Sequence, residues 1–307
     1  MSQIVTLTLN PAVDKNSEVP QVVDERKLRC SEPCYHPGGG GLNVARAIAK
    51  LGGEASAYWT CGGAIGDLLQ QLLDDEGIRH HPLRIEAMTR ENLIVYERSS
   101  ERQYRFGMPG ARLRDTEVQT CLERLRAIDP PPEYLVLSGS LPPGQDDLYG
   151  RVAEVMPSSC RIVLDTSGAA LKRALAKSVF LIKPNVRELG QLADRSIEDE
   201  QQIQGIAQSL ISEDKAEVVI TSLGSGGIML TTADEHQHIR APTVKIRSKV
   251  GAGDSTVAGV VLALSQGKSV TDSARFGVTA GSAAVMTEGT ELCRKQDTER
   301  LYRQIAR

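Results

Sequence analysis

Four short apolar runs, each ending in a polar or glycine-rich step, set the strongest limit on how this chain can fold. They are "EYLVLSGS" (133–140), "CRIVLDTSG" (160–168), "VFLIKPN" (179–185) and "AEVVITSLG" (216–224). Continuous Val, Ile and Leu mark strands covered on both faces, which calls for a parallel sheet flanked by helices. Earlier segments fit the same plan. "IVTLTL" (4–9) and "EASAYWT" (54–60) read as strands, whereas "NVARAIAKL" (43–51) and "AIGDLLQQLLDDEG" (64–77) read as helices stopped by Gly52–Gly53 and Gly77. The chain from Asp254 onward is mostly helical in pattern. Two stretches break the rhythm. Residues 11–36 hold short extended pieces, and "TRENLIVYERSSERQYRFG" (89–107) reads as a hairpin turned at "RSSER". Together they predict a small β-layer projecting from the main sheet.

A length of 307 residues is close to the limit for one core, so one α/β domain spanning 1–307 is expected, with 11–36 and 89–107 as insertions. With only 4% aromatic residues, small aliphatics must fill that core. Thirty-six basic against 39 acidic residues lack the basic excess of a nucleic-acid surface. The N-terminus has no signal-peptide pattern, and no run approaches the ~20 apolar residues of a membrane span. Cys30, Cys34, Cys61, Cys121, Cys160 and Cys293 lack paired zinc spacing and read as free thiols in a reducing compartment. A cytoplasmic protein is expected.

Chemistry is expected beyond the carboxyl ends of the strands, where the glycine-rich segments lie. Gly38–Gly41 open a helix; such a run serves as a flexible turn or lets the backbone approach an oxygen-rich ligand. The dinucleotide fingerprint fails on spacing: Gly39 and Gly41 match, but the third glycine position is Val44. The P-loop also fails, because "GKS" at 267–269 would need glycine at Leu262. In "SKVGAGDSTVAG" (248–259), Gly251, Ala252 and Gly253 can present successive amides as an anion hole at a helix start near Asp254. Asp254 could be an ordinary helix cap, but a cap does not need glycines before it. The helix dipole is expected to depress its pKa, which a base in loose phosphoryl transfer tolerates.

"GGGGLNVARAIAKLGG", "KPNVREL" and "VGAGDSTVAG", in this order and spacing, closely resemble the ribokinase-like (PfkB) carbohydrate kinases over nearly the whole chain. "KLRC", "PGGGG", "TRENL", "QYRFGMPG" and "SGSLPPG" are most similar to the family's minor bacterial 6-phosphofructokinase branch. Branches acting on fructose 1-phosphate or tagatose 6-phosphate usually carry a lysine in the glycine loop, which is all glycine here. The resemblance implies a three-layer α/β sandwich with a mainly parallel central sheet and a β-sheet lid. It also implies ATP-dependent phosphorylation of fructose 6-phosphate at O1.

Carried over residue by residue, Asp254 is the base and Gly251, Ala252 and Gly253 hold the transferring phosphoryl. Asp14, Gly39, Gly40, Asn43 and Ser138 line the sugar; Asp14 also fits a plain turn after Pro11. Arg90 and Arg105, on the two hairpin strands, suit a phosphate dianion, although edge strands commonly carry solvated arginines. Lys27 reaches the substrate or a neighbouring subunit's site. Lys183, Ser222, Gly224 and Gly227 belong to the nucleotide side. Asn185 and Glu188 form an N-x-x-E that organises water around Mg²⁺, or else simply start a helix. Asp165 ends a strand with its role open. A K⁺ site formed by carbonyls matches Ser248, Val250, Ala284, Thr287 and Gly289, despite departures at Lys249, Thr287 and Glu291. Relatives pair through the lid, so a homodimer is expected. A non-catalytic sensor would need neither Asp254 nor the N-x-x-E.

Overall fold

The computed structural model describes residues 3–305. The chain runs β1 (Ile4–Thr8), β2 (Ala12–Val19), β3 (Cys34–Gly38), α1 (Gly40–Lys50), β4 (Ser56–Cys61), α2 (Gly63–Asp75), β5 (His80–Arg84), β6 (Arg90–Glu97) and β7 (Arg102–Phe106). It continues through α3 (Asp115–Arg126), β8 (Tyr134–Ser138), α4 (Leu148–Val155), β9 (Arg161–Asp165), α5 (Gly168–Ala174), β10 (Val179–Ile182), α6 (Val186–Leu192), α7 (Glu200–Ser212) and β11 (Ala216–Ser222). The last part is β12 (Ile228–Thr231), β13 (His236–Ile239), α8 (Ala252–Ser265), α9 (Val270–Ala284) and α10 (Lys295–Ile305).

The apolar runs form the centre of a nine-stranded sheet of order β13-β12-β11-β10-β9-β8-β1-β4-β5. It is parallel from β11 to β5, and β12 and β13 add an antiparallel edge. Alternate strand residues serve the two faces. Leu135, Leu137, Ile162 and Leu164 pack with α3 to α7, while Tyr134, Val136 and Val163 pack with α1, α8 and α9. Both faces are therefore covered, which explains why the strands read as unbroken hydrophobic runs. The result is a three-layer α/β sandwich with a mainly parallel central sheet.

The two irregular stretches meet in a second sheet, β3-β2-β6-β7. Its centre is a parallel pairing of β2 with β6, from Ala12 opposite Arg90 to Val19 opposite Glu97. The expected hairpin is present, with Ile94 opposite Arg105. Strand alternation then puts Asp14, His36, Arg90, Asn92 and Arg105 on one face.

Helix α8 is buried from Ser255 to Leu264 and lies between α1 and α9. It approaches α9 closely at Gly259, where an added Cβ would stand 2.9 Å from Gly277 Cα and from Ala280 Cβ. Gly259→Val is therefore expected to lower unfolding free energy by about 1–3 kcal/mol through overpacking. Urea denaturation reads the change, and unaltered stability would show that the two helices can separate at little cost.

Candidate active site

Ser138 ends β8, Asp165 ends β9, Lys183 follows β10 and Ser222 ends β11. The carboxyl ends of four neighbouring strands thus carry the polar residues, and the N-termini of α1 and α8 face the same end of the sheet. This is where ligands bind in open α/β sheets.

Helix α8 begins two residues before the expected position. Gly251 is its N-cap, in the left-handed region at φ 73°; a side chain there would be strained and would strike Leu292. Ser255 N is the first amide of the helix to meet a helical acceptor, the carbonyl of Gly251 at 2.8 Å. Among the described residues no acceptor meets the amides of Gly251, Ala252 or Gly253. Such an array of amides at a helix start suits an anion. A Cβ on Gly253 would lie 3.5 Å from Lys183 Nζ, so the buried ammonium stands against the same array.

Asp254 follows within the first turn. Its Oδ2 accepts a 2.8 Å hydrogen bond from Asn43 Nδ2 on α1. Its pKa is not depressed, contrary to the expectation from the dipole, but pushed up to about 6. Burial is the main cause and the nearby Asp165 carboxylate the second; Asn43, Lys183 and Arg46 oppose them without prevailing. A helix dipole has modest strength at an exposed end, whereas loss of hydration acts on the full charge. Asp165 is held 3.0 Å from Lys183 Nζ, which gives the strand-end aspartate a definite partner.

The glycine run is explained by what crowds it. A Cβ on Gly38 would lie 2.8 Å from Asp14 Oδ2, and one on Gly40 would collide with Ser138 Oγ. The loop can therefore lie against both expected sugar ligands only without side chains. Asp14 is buried and accepts 2.8 Å from Asn92 Nδ2. Ser138 Oγ is buried without a hydrogen-bond partner, a hydroxyl left for a ligand. Asn92 lies within "TRENL" and alternates with Arg90, a signal that strand periodicity could have supplied.

The two expected phosphate arginines differ. Arg90 is half-buried and donates to the carbonyls of Asn10 (3.0 Å), Met108 (3.0 Å) and Pro11 (3.4 Å). It thus pins the strand-to-loop junctions, with two of its five N–H groups left over. Arg105 is exposed and, among the described residues, its side chain has no hydrogen bond or ion pair. Lys27 is likewise exposed on the connection between β2 and β3, and no hydrogen bond or ion pair joins it to the others.

A cavity of about 480 Å³ is lined by Ser222, Gly224 and Gly227 on one side, by Ala252, Gly253 and Thr256 of α8, and by Lys249. The expected nucleotide loop and the anion hole therefore share one space. Val244, Ile246, Val278 and Val285 add an apolar wall. Asn185 and Glu188 form a reciprocal capping box at the start of α6, each bond 2.9 Å. The helix-start reading therefore accounts for their local geometry. Glu188 Oε1 retains no protein donor among the described residues. The 248–250 and 284–289 loops are stitched together. Ser248 Oγ donates to the Gly289 carbonyl at 3.0 Å and Ser248 N to the Val285 carbonyl at 3.3 Å, while Thr287 Oγ1 donates within its own loop to the Ala284 carbonyl at 2.8 Å.

The model of the pfkB family carbohydrate kinases matches residues 5–297. Escherichia coli ATP-dependent 6-phosphofructokinase isozyme 2 is 41% identical over 310 residues, covering 100% of both chains. Crystal structures of phosphofructokinase-2 from Escherichia coli, in complex with fructose-6-phosphate and with potassium, superpose with TM-scores of 0.94 and 0.96. Each has 40% identity and covers 100% of both chains. Among the described residues no helix is long and apolar enough to cross a membrane. A glycine loop opening α1, a basic strand end and a carboxylate beside empty amides thus occur on the family's own fold, and this chain belongs to the pfkB family of carbohydrate kinases.

Proposed function

We propose that this protein is an ATP-dependent 6-phosphofructokinase, transferring the γ-phosphoryl group of ATP to O1 of fructose 6-phosphate. The observation that carries the reading is the Asp254 carboxyl set beside the unfilled amides of Gly251, Ala252 and Gly253, at the end of a nucleotide-sized cavity. Asp254 accepts the proton of the 1-hydroxyl as that oxygen bonds to phosphorus and the bond to the bridging oxygen of ADP breaks. The amides and Lys183 meet the charge on the transferring group, where electrostatic stabilisation dominates. Asp14, Asn43, Gly39, Gly40 and Ser138 orient the sugar. Arg90 and Arg105, with Lys27 from this or a second subunit, take the phosphate already on it.

Mg²⁺ would neutralise the nucleotide phosphates when bound. No group of three acidic, His or Cys side chains stands ready for a metal among the described residues. Glu188 with its free oxygen, acting through water beside Asn185, fits an ion that keeps its hydration shell. K⁺ would be held by the carbonyls of Ser248, Val250, Ala284, Thr287 and Gly289. A carbonyl already accepting one hydrogen bond keeps a second lone pair, and the unpartnered buried Thr290 Oγ1 lies beside these loops. The exposed Leu28, Tyr96 and Phe106 on and around the small sheet support a homodimer joined through it, with the sheet as a lid over the sugar.

With Mg-ATP, fructose 6-phosphate should give the highest kcat/KM in a panel with tagatose 6-phosphate, fructose 1-phosphate and fructose. A higher value for any other sugar would reassign the substrate. Arg90→Ala should weaken phosphorylated sugars by about tenfold or more, as expected for loss of a charge-assisted contact; an equal loss for fructose would remove Arg90 from the phosphate site. The same assay should run faster in potassium than in sodium buffer, and equal rates would remove the K⁺ site.

Turnover requires ionised Asp254, so kcat/KM, which reports the free enzyme, should fall with acid below a midpoint near the carboxyl pKa of about 6. A kcat/KM that holds constant down to pH 4.5 would rule out Asp254 as the base. Sedimentation should give twice the chain mass at micromolar concentration; a single chain mass would exclude the dimer.

A further inference from the structure

Arg46 is the most deeply buried charged side chain of α1, 2% exposed, and no step above uses it. Its guanidinium is placed by four hydrogen bonds to three partners. Nε and Nη2 form a two-bond fork with Glu76, at 2.7 and 2.6 Å, and Glu76 caps the C-terminus of α2. Nη1 donates to the carbonyl of Pro37, just before the glycine run, at 3.2 Å, and to Asn43 Oδ1 at 3.1 Å. Asn43 turns its other amide atom, Nδ2, to Asp254 Oδ2.

An asparagine amide presents an acceptor at one end and donors at the other. Free to flip, it could offer Asp254 either. With its oxygen fixed on a buried cation, Asn43 can present only N–H to the carboxylate.

We propose that Arg46 is a positioning residue: by holding the Asn43 amide in one orientation it fixes the Asp254 carboxylate for proton abstraction, with Glu76 balancing its buried charge. This rests on the reading of Asp254 as the base. The donated hydrogen bond takes one carboxylate oxygen and leaves the other to meet the sugar hydroxyl. The Pro37 contact ties the same guanidinium to the glycine loop, so sugar site and base are set by one side chain. Arg46 also acts on Asp254 through its charge. The groups facing Asp254 are Asn43 and Arg46 from α1, Asp165 at the end of β9 and Lys183 after β10; His36 and Glu76 stand beside Arg46. Asn43 and Arg46 both favour the ionised form, so their loss moves the carboxyl pKa upward.

The test removes both members of the pair, the buried Arg46 and its solvent-facing partner Glu76, as Arg46→Met with Glu76→Gln, to avoid leaving one charge unpaired. The variant should melt near the parent temperature and keep its KM for Mg-ATP, because no residue of the nucleotide cavity changes. Its kcat should fall by about 10²-fold, the scale of an ångström-sized misplacement of a reacting group, and the acid limb of its kcat/KM profile should move to higher pH. Parent kcat with an unmoved acid limb would overturn the proposal.

Arg46→Lys keeps the charge and covers the case in which the double variant does not fold. An ammonium lacks the planar fork that meets Glu76, Pro37 and Asn43 together. It should lower kcat while leaving the acid limb near its parent position, and parent kcat would again overturn the proposal. Asp254→Asn separates the two levels. If it retains turnover, the assignment of the base falls. If it is inactive while the Arg46 variants match the parent, only the positioning role falls.

Discussion

The structure depends on one unfavourable placement, a half-buried carboxylate crowded among side chains at the start of a buried helix. Asp254 cannot be hydrated there as it would be on a surface, and a second carboxylate, Asp165, adds repulsion. Three groups make the charge tolerable: the Asn43 amide, the Lys183 ammonium and, at longer range, Arg46. The balance leaves a carboxyl that is ionised near neutrality yet more basic than an ordinary aspartate, as proton abstraction at neutral pH requires. Lys183 contributes twice, because it pairs with Asp165 at 3.0 Å and stands beside the open amides of the anion hole.

The fold supplies this placement through its topology. Each group in the charge balance, apart from Arg46 one turn further along α1, comes from the carboxyl end of a different parallel strand or from the N-terminus of a helix packed on the sheet. Helix α8 packs tightly because Gly259, Gly277 and Gly281 let α9 approach closely, and this fixes Asp254, half-buried, at its start. The glycine run at 38–41 works in the same sense, since the missing side chains admit Asp14 and Ser138 to the surface that receives the sugar. Glycine here serves mainly to make room.

What was legible in the sequence was whatever is encoded locally. Unbroken Val/Ile/Leu runs gave the parallel strands because both faces are covered. The strand-end positions of Ser138, Asp165, Lys183 and Ser222 followed from those runs, and the hairpin pattern along 89–107 placed Arg90 and Arg105 on its two strands. The start of α8 was misplaced by two residues, because the helix begins on Ala252 and Gly253, which carry no cap signal. The pKa of Asp254 was read with the wrong sign because its burial and its neighbour Asp165 are set by distant parts of the chain. Arg46 went unnoticed for the same reason: it sits one helical turn from Asn43, but its charge has meaning only through Glu76 on the next helix. Arg90 was placed correctly on its strand, yet its hold on three backbone carbonyls depends on how the loops return.

The most direct measurement is a carbon-13 NMR titration of the Asp254 carboxyl in the ligand-free protein, assigned by comparison with Asp254→Asn. The account predicts a midpoint of about 6. A midpoint near or below the ordinary aspartate value of about 4 would contradict it, since the carboxylate would then be neither desolvated nor tuned as a base.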